Sequence, residues 1–237
     1  MQRQALPLIL LTRPAAASAR FAARLTRAGL AAEVLISPLQ EVRFLDWRAP
    51  GPPPDALVLT SQNGAEAARR AGLSGLAYCV GDQTAEAARA AGFQAVSASG
   101  DARALAALIA ATPRGRLWHL RGQEAAGDLS GSLRPAGFEV HEITCYRMSP
   151  TPLSDAARAA LGASRDILLP LFSPQSALRA AEALAGATAA VTILALSPAV
   201  ARAAAALSAP RCLTARRPDA DGMIEIIEEA LNSGAKS

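Results

Sequence analysis

Short apolar runs recur along the chain, and each is followed by a polar turn and an alanine-rich stretch of helical character. The six runs are Leu6–Leu11, Ala56–Leu59, Leu76–Val80, Leu117–Leu120, Ile167–Phe172 and Thr192–Leu196. Continuous apolar strands that alternate with helices are typical of parallel sheets whose two faces are both covered by helices. The pattern therefore predicts an α/β fold with doubly wound parallel sheets.

The polar turns carry signals for the start of a helix. Hydroxyl side chains at Thr12, Ser173 and Ser197 stand beside or near a proline, and such side chains cap the free amides of a first helical turn. Glycines mark the expected helix ends at Gly29, Gly72, Gly92 and Gly137. Because open α/β sheets bind ligands at the carboxyl ends of their strands, these turns are candidate sites for an anionic ligand. The alternative is that they only cap helices.

Two segments depart from this pattern and indicate where the chain divides. "SPLQEVRF" (37–44) and "VHEITCYRMSP" (140–150) have partly alternating polar and apolar residues. Three of the six strand–helix units lie between these segments, and three lie outside them. We therefore expect a discontinuous first domain (1–37 plus 149–237), a second domain (43–141) and two linker strands (38–42 and 142–148). A single division near residue 150 is the alternative.

Composition excludes several classes of protein. The 237 residues include 24 Lys and Arg against 20 Asp and Glu, and no run of five basic residues occurs, so we expect neither nucleic-acid nor membrane binding. No apolar stretch approaches the roughly 20 residues of a membrane span, and the apolar start is too short for a secretory signal. The three cysteines are far apart and odd in number, which favours a reducing cytoplasm without disulfides or zinc. Each is expected to be a core residue (Cys79, Cys145 and Cys212).

The ordered set of turns resembles the uroporphyrinogen-III synthase family. The motifs are T-R-P at 12–14, T-S-x-N-G at 60–64, V-G-x-x-T-A at 80–85, L-R-G at 120–122, G-F-E-V-x-E-x-x-x-Y at 137–146, F-S-P-x-S at 172–176 and S-P-x-x-A at 197–201. Each motif alone is only a strand and a capped turn, whereas their order along most of the chain is specific. One departure is the last turn, Ser197-Pro198-Ala199-Val200, which lacks the threonine of many members.

The resemblance implies a lyase that closes hydroxymethylbilane into uroporphyrinogen III, with inversion of ring D and loss of water. It implies two α/β domains joined by a two-stranded linker, a substrate held in the cleft by main-chain groups and hydroxyls, and no metal or cofactor. We expect a cytoplasmic monomer with possible transient contact with the preceding pathway enzyme. A non-catalytic cleft protein that binds a small polyanion is the alternative, and a nucleotide-sugar transferase is disfavoured because no phosphate-binding loop is present.

The resemblance also assigns roles to residues at the turns. Tyr146 matches the family's tyrosine and is the candidate proton donor for the departing hydroxyl; a packing role is the alternative. Arg13 and Arg121 are candidates for bidentate carboxylate binding, and replacing both is expected to raise KM. A lone histidine in a strand, His119, is expected to be a core residue. The candidate substrate-binding residues are Thr12, Arg13, Ser61, Gln62, Asn63, Gly81, Thr84, Arg121, Ser173, Pro174, Gln175, Ser176 and Ser197.

Overall fold

The computed structural model describes residues 6–124, 127–163, 165–207 and 209–234. The chain divides into a first unit (Met1–Glu41 with Pro150–Ser237) and a second unit (Val42–Ser149). Each unit contains one sheet, and the chain passes between the units twice.

The described elements alternate between strands and helices over most of the chain. In chain order the strands are β1 (Leu8–Leu11), β2 (Glu33–Ile36), β3 (Gln40–Phe44), β4 (Ala56–Leu59), β5 (Leu76–Cys79), β6 (Gln94–Ser97), β7 (Arg116–Gly122), β8 (Glu139–Pro150), β9 (Asp166–Leu171), β10 (Ala190–Ala195) and β11 (Arg211–Thr214). The helices are α1 (Ala15–Arg27), α2 (Gln62–Arg70), α3 (Asp82–Ala90), α4 (Ala102–Ala110), α5 (Leu129–Leu133), α6 (Asp155–Leu161), α7 (Pro174–Ala183), α8 (Pro198–Ala203) and α9 (Ala220–Gly234).

The sheet of the first unit has the order β11-β10-β9-β1-β2, and its neighbouring strands pair in parallel. All four residues of β1 are fully buried because helices cover both faces. Leu8 and Leu10 lie in the cluster that contains residues of α6, α7 and α8. Ile9 and Leu11 lie in the opposite cluster, with residues of α1 and α9. The continuous apolar run is thus explained by burial on both sides, as the sequence predicts.

The sheet of the second unit has the order β3-β8-β7-β4-β5-β6. The pairs β8–β7, β7–β4, β4–β5 and β5–β6 are parallel. Leu57 and Leu59 of β4 pack with buried alanines of α2 and α3, whereas Val58 packs on the other face with Leu105 of α4. Small alanine side chains bring these helices close to the sheet. The α/β fold with parallel sheets covered on both faces is therefore confirmed.

The predicted helix ends are confirmed by backbone geometry. Gly29, Gly72, Gly92 and Gly137 have φ angles of 70°, 70°, 93° and 90°, in the left-handed region that favours glycine. The predicted cap at Thr12 is wrong. Pro14 occupies the N-cap position of α1, and Thr12 lies two residues before it, where its carbonyl accepts a hydrogen bond from the Leu39 amide at 3.1 Å.

Two further expectations differ from the structure. Cys79 and Cys145 are buried as expected, but Cys212 is exposed because it lies on the edge strand β11. The prediction of a helix directly after the turn that follows β7 is wrong, because α5 begins at Leu129. At the end of the described chain, α9 extends to Gly234. Within the described ranges, no helix is long and apolar enough to span a membrane.

Candidate functional site

Every candidate residue except Tyr146 lies near the carboxyl end of a strand or in the first turn of the helix that follows, and Tyr146 lies within β8 opposite Gly122, the last residue of β7. Within the second unit the candidates are Ser61, Gln62, Asn63, Gly81, Thr84, Arg121 and Tyr146; within the first unit they are Thr12, Arg13, Ser173, Pro174, Gln175, Ser176 and Ser197. The strands that carry them are adjacent in each sheet, β8-β7-β4-β5 in the second and β10-β9-β1 in the first. Each sheet thus gathers its own candidates at one edge.

The Tyr146 hydroxyl lies 2.8 Å from Ser61 Oγ, so these two candidate residues are in direct contact. Tyr146 is on β8 and Ser61 follows β4, and β7 lies between these strands. The tyrosine ring therefore crosses β7, and it does so above Gly122. A Cβ atom placed on Gly122 would be 2.7 Å from Tyr146 Cε2 and 3.0 Å from its hydroxyl. The missing side chain at Gly122 is what lets the ring reach Ser61.

A register shift between β7 and β8 produces this arrangement. Arg121 pairs with Thr144, but Gly122 pairs with Tyr146, so one extra residue is accommodated on β8. The amide of Gln123 then donates to the Tyr146 carbonyl at 3.0 Å. Bulges of this kind change the direction of side chains at the end of a strand. Here the bulge places the tyrosine opposite the one β7 residue that has no side chain.

Ser61 is also the N-cap of α2. Its Oγ accepts the Gly64 amide at 3.1 Å, which satisfies one of the free donors of the first turn. A Cβ on Gly64 would lie 2.8 Å from the Leu120 carbonyl of β7, so only glycine allows the helix to approach this closely. Gln62 and Asn63 occupy the first turn and are half-buried. The T-S-x-N-G motif therefore fixes the start of α2 against β7 and holds Tyr146.

Arg121 is held by a carboxylate of its own unit. Its Nη1 donates to Glu142 Oε2 at 2.7 Å, and the Ser130 hydroxyl of α5 donates to Glu142 Oε1 at 2.5 Å. Partial burial acts to raise the pKa of Glu142, but the hydrogen bonds from Ser130 and Arg121 together hold it below its ordinary value. Glu142 is consequently ionised and neutralises the charge of Arg121.

A buried histidine lies beside this ion pair. His119 of β7 is 3 % exposed and is the register partner of Glu142 on β8. Its Nε2 is 3.3 Å from the Thr60 hydroxyl, and its Nδ1 is 3.8 Å from Glu142 Oε1. Burial lowers the pKa of His119 below its ordinary value of 6.5, and the nearby Glu142 offsets this only in part. The imidazole is therefore neutral at pH 7.

The turn after β5 has a different character. Gly81 is the N-cap of α3, and the buried Thr84 amide donates to the Gly81 carbonyl at 3.1 Å. Asp82 is exposed and accepts hydrogen bonds from the Ser97 and Ser99 hydroxyls, at 2.6 and 2.9 Å, which lower its pKa. This carboxylate places a negative charge beside the turn, so the turn is less favourable for an anion than the turn at Ser61.

In the first unit, Arg13 stacks on an aromatic ring at the end of the neighbouring strand. Its guanidinium carbon lies 4.2 Å from the centroid of Phe172, and Phe21 contacts the same ring edge-on with centroids 5.0 Å apart. Burial, followed by repulsion from Arg20, lowers the pKa of Arg13 below its ordinary value, and the guanidinium remains cationic. Among the described residues, Arg13 forms no ion pair, so its donors are available to a ligand.

The remaining candidates of the first unit are helix caps. Ser173 and Ser176 form a capping box in which each hydroxyl accepts the other residue's amide, at 3.1 and 3.0 Å. Pro174 occupies the first turn of α7, and Gln175 is exposed beside it. Ser197 Oγ accepts the Val200 amide at 3.4 Å at the start of α8. These hydroxyls order the turns and leave Gln175 as the free polar side chain.

Comparison with known proteins assigns the chain to a family. A sequence model described as uroporphyrinogen-III synthase HemD matches residues 19–225. The chain belongs to the uroporphyrinogen-III synthase family. The matched range includes every candidate except Thr12 and Arg13, which precede it.

A solved structure shows the same fold over nearly the whole chain. The uroporphyrinogen-III synthetase from Helicobacter pylori 26695 is 14 % identical with a TM-score of 0.63, over 95 % of this chain and 99 % of that chain. A mutant uroporphyrinogen III synthase from the extremely thermophilic bacterium Thermus thermophilus is 18 % identical with a TM-score of 0.49, over 97 % and 100 % of the two chains. A comparison with curated proteins finds no match.

Membership of the uroporphyrinogen-III synthase family gives the chain its activity. It is a cyclising lyase that converts hydroxymethylbilane into uroporphyrinogen III in tetrapyrrole biosynthesis. The non-catalytic alternative is not favoured. The substrate is a small molecule, as expected from the resemblance.

Sequence reasoning missed part of this polar cluster. Thr60, Ser130 and Glu142 were not candidates, and His119 was expected to be only a core residue. Two features of the sequence could have indicated these residues. Thr60 is next to Ser61, and Glu142 alternates with buried residues along β8. That signal becomes specific only when the order β8-β7-β4 is known.

Proposed function

We propose that the protein performs this cyclisation at the carboxyl edge of its second sheet, with Tyr146 as proton donor and Ser61 as its partner. The observation that carries the proposal is the 2.8 Å contact between the Tyr146 hydroxyl and Ser61 Oγ, formed across Gly122. Ser61 accepts the Gly64 amide, so its own proton is free to point at the tyrosine oxygen. The tyrosine proton is then directed away from Ser61 and is available to a substrate.

The chemistry requires one proton at the departing group. The pyrrole nitrogen of the substrate donates electrons, the carbon–oxygen bond of the terminal hydroxymethyl group breaks, and an azafulvenium cation forms. The electron pair leaves with the oxygen, which takes the proton of Tyr146 and departs as water. The Ser61 hydroxyl and the Gly64 amide behind it stabilise the phenolate that remains. Such proton donation contributes roughly 10²- to 10⁴-fold to a rate.

Ring inversion is a problem of geometry. The cation must meet the ring-D carbon that already bears the bridge, which gives a spiro intermediate instead of simple end-to-end closure. After the bridge migrates, the final rearomatisation releases one proton, which restores Tyr146. Holding the reacting carbons together can contribute up to roughly 7–11 kcal/mol.

The eight substrate carboxylates need fixed donors. Arg13, stacked on Phe172, is suited to bind one of them through two parallel hydrogen bonds. The first turns of α2 and α7 present Gln62, Asn63 and Gln175, and helix N-termini attract anions. Arg121 is already paired with Glu142, so we assign it a supporting role that orders the edge.

The remaining expectations stand as proposals. We propose a cytoplasmic monomer that needs no metal or cofactor and contacts the preceding pathway enzyme only transiently. We also propose linker strands at 38–42 and 142–148. Adjacent strands β3 and β8 support this, because each contains a point at which the chain passes between the units.

The Tyr146→Phe variant tests the catalytic proposal. With freshly prepared hydroxymethylbilane, the wild type is expected to yield the III isomer, whereas the variant is expected to lose roughly 10²- to 10⁴-fold in kcat with little change in KM. Product that remains would then be mostly the I isomer, formed by uncatalysed closure. Tyr78→Phe is the matched control, because Tyr78 is the other tyrosine and lies in the core. Full turnover by Tyr146→Phe would remove Tyr146 from the mechanism.

A further inference from the structure

A row of polar side chains leads to the turn that carries Ser61; of these, His119 is buried, Thr60 is half-buried and Glu142 is exposed. It runs from the Thr60 hydroxyl to His119 Nε2 (3.3 Å), and His119 Nδ1 lies 3.8 Å from Glu142 Oε1, a separation too long for a hydrogen bond; Nδ1 has no hydrogen-bond partner among the described residues. Glu142 is fixed in turn by Arg121 and Ser130. Thr60 is the residue before Ser61, so the row ends at the peptide that carries the tyrosine's partner.

The direction of the Thr60 hydrogen bond follows from the surroundings of the imidazole. The negative charge of the Glu142 carboxylate, 3.8 Å from Nδ1, favours a proton on His119 Nδ1. A neutral imidazole with its proton on Nδ1 has a bare Nε2, which accepts a hydrogen bond. Thr60 must then donate its hydroxyl proton to Nε2. A second proton on Nε2 would abolish this bond and place a cation on a residue that is only 3 % exposed.

The consequence concerns the start of α2. Strand β4 ends at Leu59. The backbone must therefore turn at Thr60 and Ser61 to place Ser61 at the N-cap of α2. The Gly64 contact with the Leu120 carbonyl fixes the helix side of this turn. The Thr60 bond to His119 fixes the strand side. Without that bond, the Thr60 side chain is free to rotate and the Ser61 hydroxyl is less well placed.

We propose that His119 is a positioning residue for the cyclisation: through Thr60 it fixes the turn at which Ser61 holds Tyr146. This inference rests on the proposed role of Tyr146. His119 does not touch the substrate and exchanges no proton with it. The lone histidine of β7 therefore contributes to kcat and to isomer selectivity, and not to substrate affinity.

Two substitutions remove the contact from opposite sides. Thr60→Val keeps the shape of the side chain but removes the donor. His119→Asn retains a polar group near the Nδ1 position but is too short to reach Thr60. His119→Gln is the conservative variant, because its side-chain carbonyl reaches the former Nε2 position and can accept from Thr60. His141→Gln is the control, since His141 is the chain's other histidine and binds only Glu139 among the described residues, at 2.8 Å.

The experiment measures the position of Tyr146 separately from its chemistry. In a Tyr78→Phe background, Tyr146 is the one tyrosine of the chain, so fluorotyrosine labelling gives a single ¹⁹F resonance. Thr60→Val and His119→Asn are expected to shift or broaden this resonance and to lower kcat by up to roughly tenfold, no more than loss of the Ser61 hydrogen bond itself, with KM within about threefold. Both are expected to raise the share of the I isomer. His119→Gln and His141→Gln are expected to keep the wild-type resonance and most of kcat.

Several outcomes would overturn the inference. One is an unshifted ¹⁹F resonance with wild-type kcat in both Thr60→Val and His119→Asn. Another is a loss of kcat with the resonance unmoved, which would mean that Thr60 and His119 affect the reaction at a place other than Tyr146. The proposed function fails differently: Tyr146→Phe would then retain full turnover, whatever the resonance shows.

Discussion

Gly122 shows how the absence of a side chain can determine a site. Tyr146 and Ser61 belong to strands that are not neighbours, and the ring must pass over β7. Gly122 is not among the glycines whose φ angle lies in the left-handed region, so alanine is compatible with its backbone. What alanine lacks is space, because its Cβ would lie 2.7 Å from the tyrosine ring. Atom pairs at that separation repel strongly.

Gly122→Ala is therefore expected to displace Tyr146 while the sheet stays intact. We expect kcat to fall roughly 100-fold, as for a misplaced catalytic group, with a stability loss of about 1–3 kcal/mol from overpacking. Steady-state kinetics, the isomer ratio and urea unfolding provide the measurements. Gly51→Ala is the control, because a Cβ there meets nothing within 4 Å. Wild-type kcat in Gly122→Ala would show that the ring position is unimportant.

The sequence predicted some of these residues and not others, for a physical reason. Tyr146 and Ser61 could be named because each lies in a motif that resembles a family. The role of Gly122 depends on a bulge and on the strand order, which bring residues 61, 122 and 146 together. Nothing local in L-R-G distinguishes a glycine below a tyrosine from one in an ordinary turn. Glu142 was missed for the same reason, because its partners lie on β7 and α5.

At the scale of the element, helix caps perform two different tasks in this chain. Ser61 and Ser154 are both serine N-caps whose Oγ accepts the amide three residues later, at 3.1 and 3.2 Å. Only Ser61 also binds a tyrosine hydroxyl. The two serines therefore form a matched pair: both cap a helix, but only Ser61 contacts a tyrosine.

Ser61→Ala and Ser154→Ala are expected to lower stability by similar amounts, about 0.5–2 kcal/mol each. Only Ser61→Ala is expected to lower kcat, by roughly tenfold, which corresponds to the loss of one hydrogen bond of about 1.4 kcal/mol. Urea unfolding and steady-state kinetics on both variants make the comparison. Equal kcat in the two variants would mean that Ser61 only caps its helix.

The elements themselves were predictable where two-sided burial leaves a clear pattern. Ala56–Leu59 is a strand at the predicted residues, and the other five apolar runs overlap strands whose ends differ from the predicted ends by at most two residues. The edge strand β11 was missed because it is short and three of its four residues are exposed. Exposed edge strands carry no continuous apolar run, so hydrophobic pattern alone does not reveal them.

At the scale of the whole molecule, the cores explain why the fold class was accessible from sequence. Four apolar clusters cover the two faces of the two sheets, and each face draws on alternate residues of the same strands. Alanine-rich helices lie close to these faces. Polar clusters are less predictable, because a buried histidine with a carboxylate partner resembles a core residue until its neighbours are known.

Burial of His119 also makes a prediction about the stability of the whole chain. The pKa of His119 is lowered in the folded state mainly by burial, although Glu142 raises it in part and Arg121 lowers it further. The unfolded chain therefore binds this proton at a higher pH than the folded one, near the ordinary value of 6.5. The stability that neutral His119 contributes is complete above pH 6.5. It is lost progressively as the pH falls from 6.5 through the lower pKa of the folded state. Glu142 stays ionised in this window because its own pKa is lowered.

Urea unfolding at about pH 7.5 and about pH 5.5 tests this expectation. The wild type is expected to lose up to about 1.4 kcal/mol more stability between these values than His119→Gln, which cannot bind the proton. The carboxylates with lowered pKa, such as Glu66 with a pKa of about 2, affect stability only below their ordinary values, 4.5 in the case of Glu66, and do not enter the comparison. Other titrating groups are common to both proteins and cancel. If both proteins lose the same stability, His119 accepts its proton in the folded state as readily as in the unfolded chain.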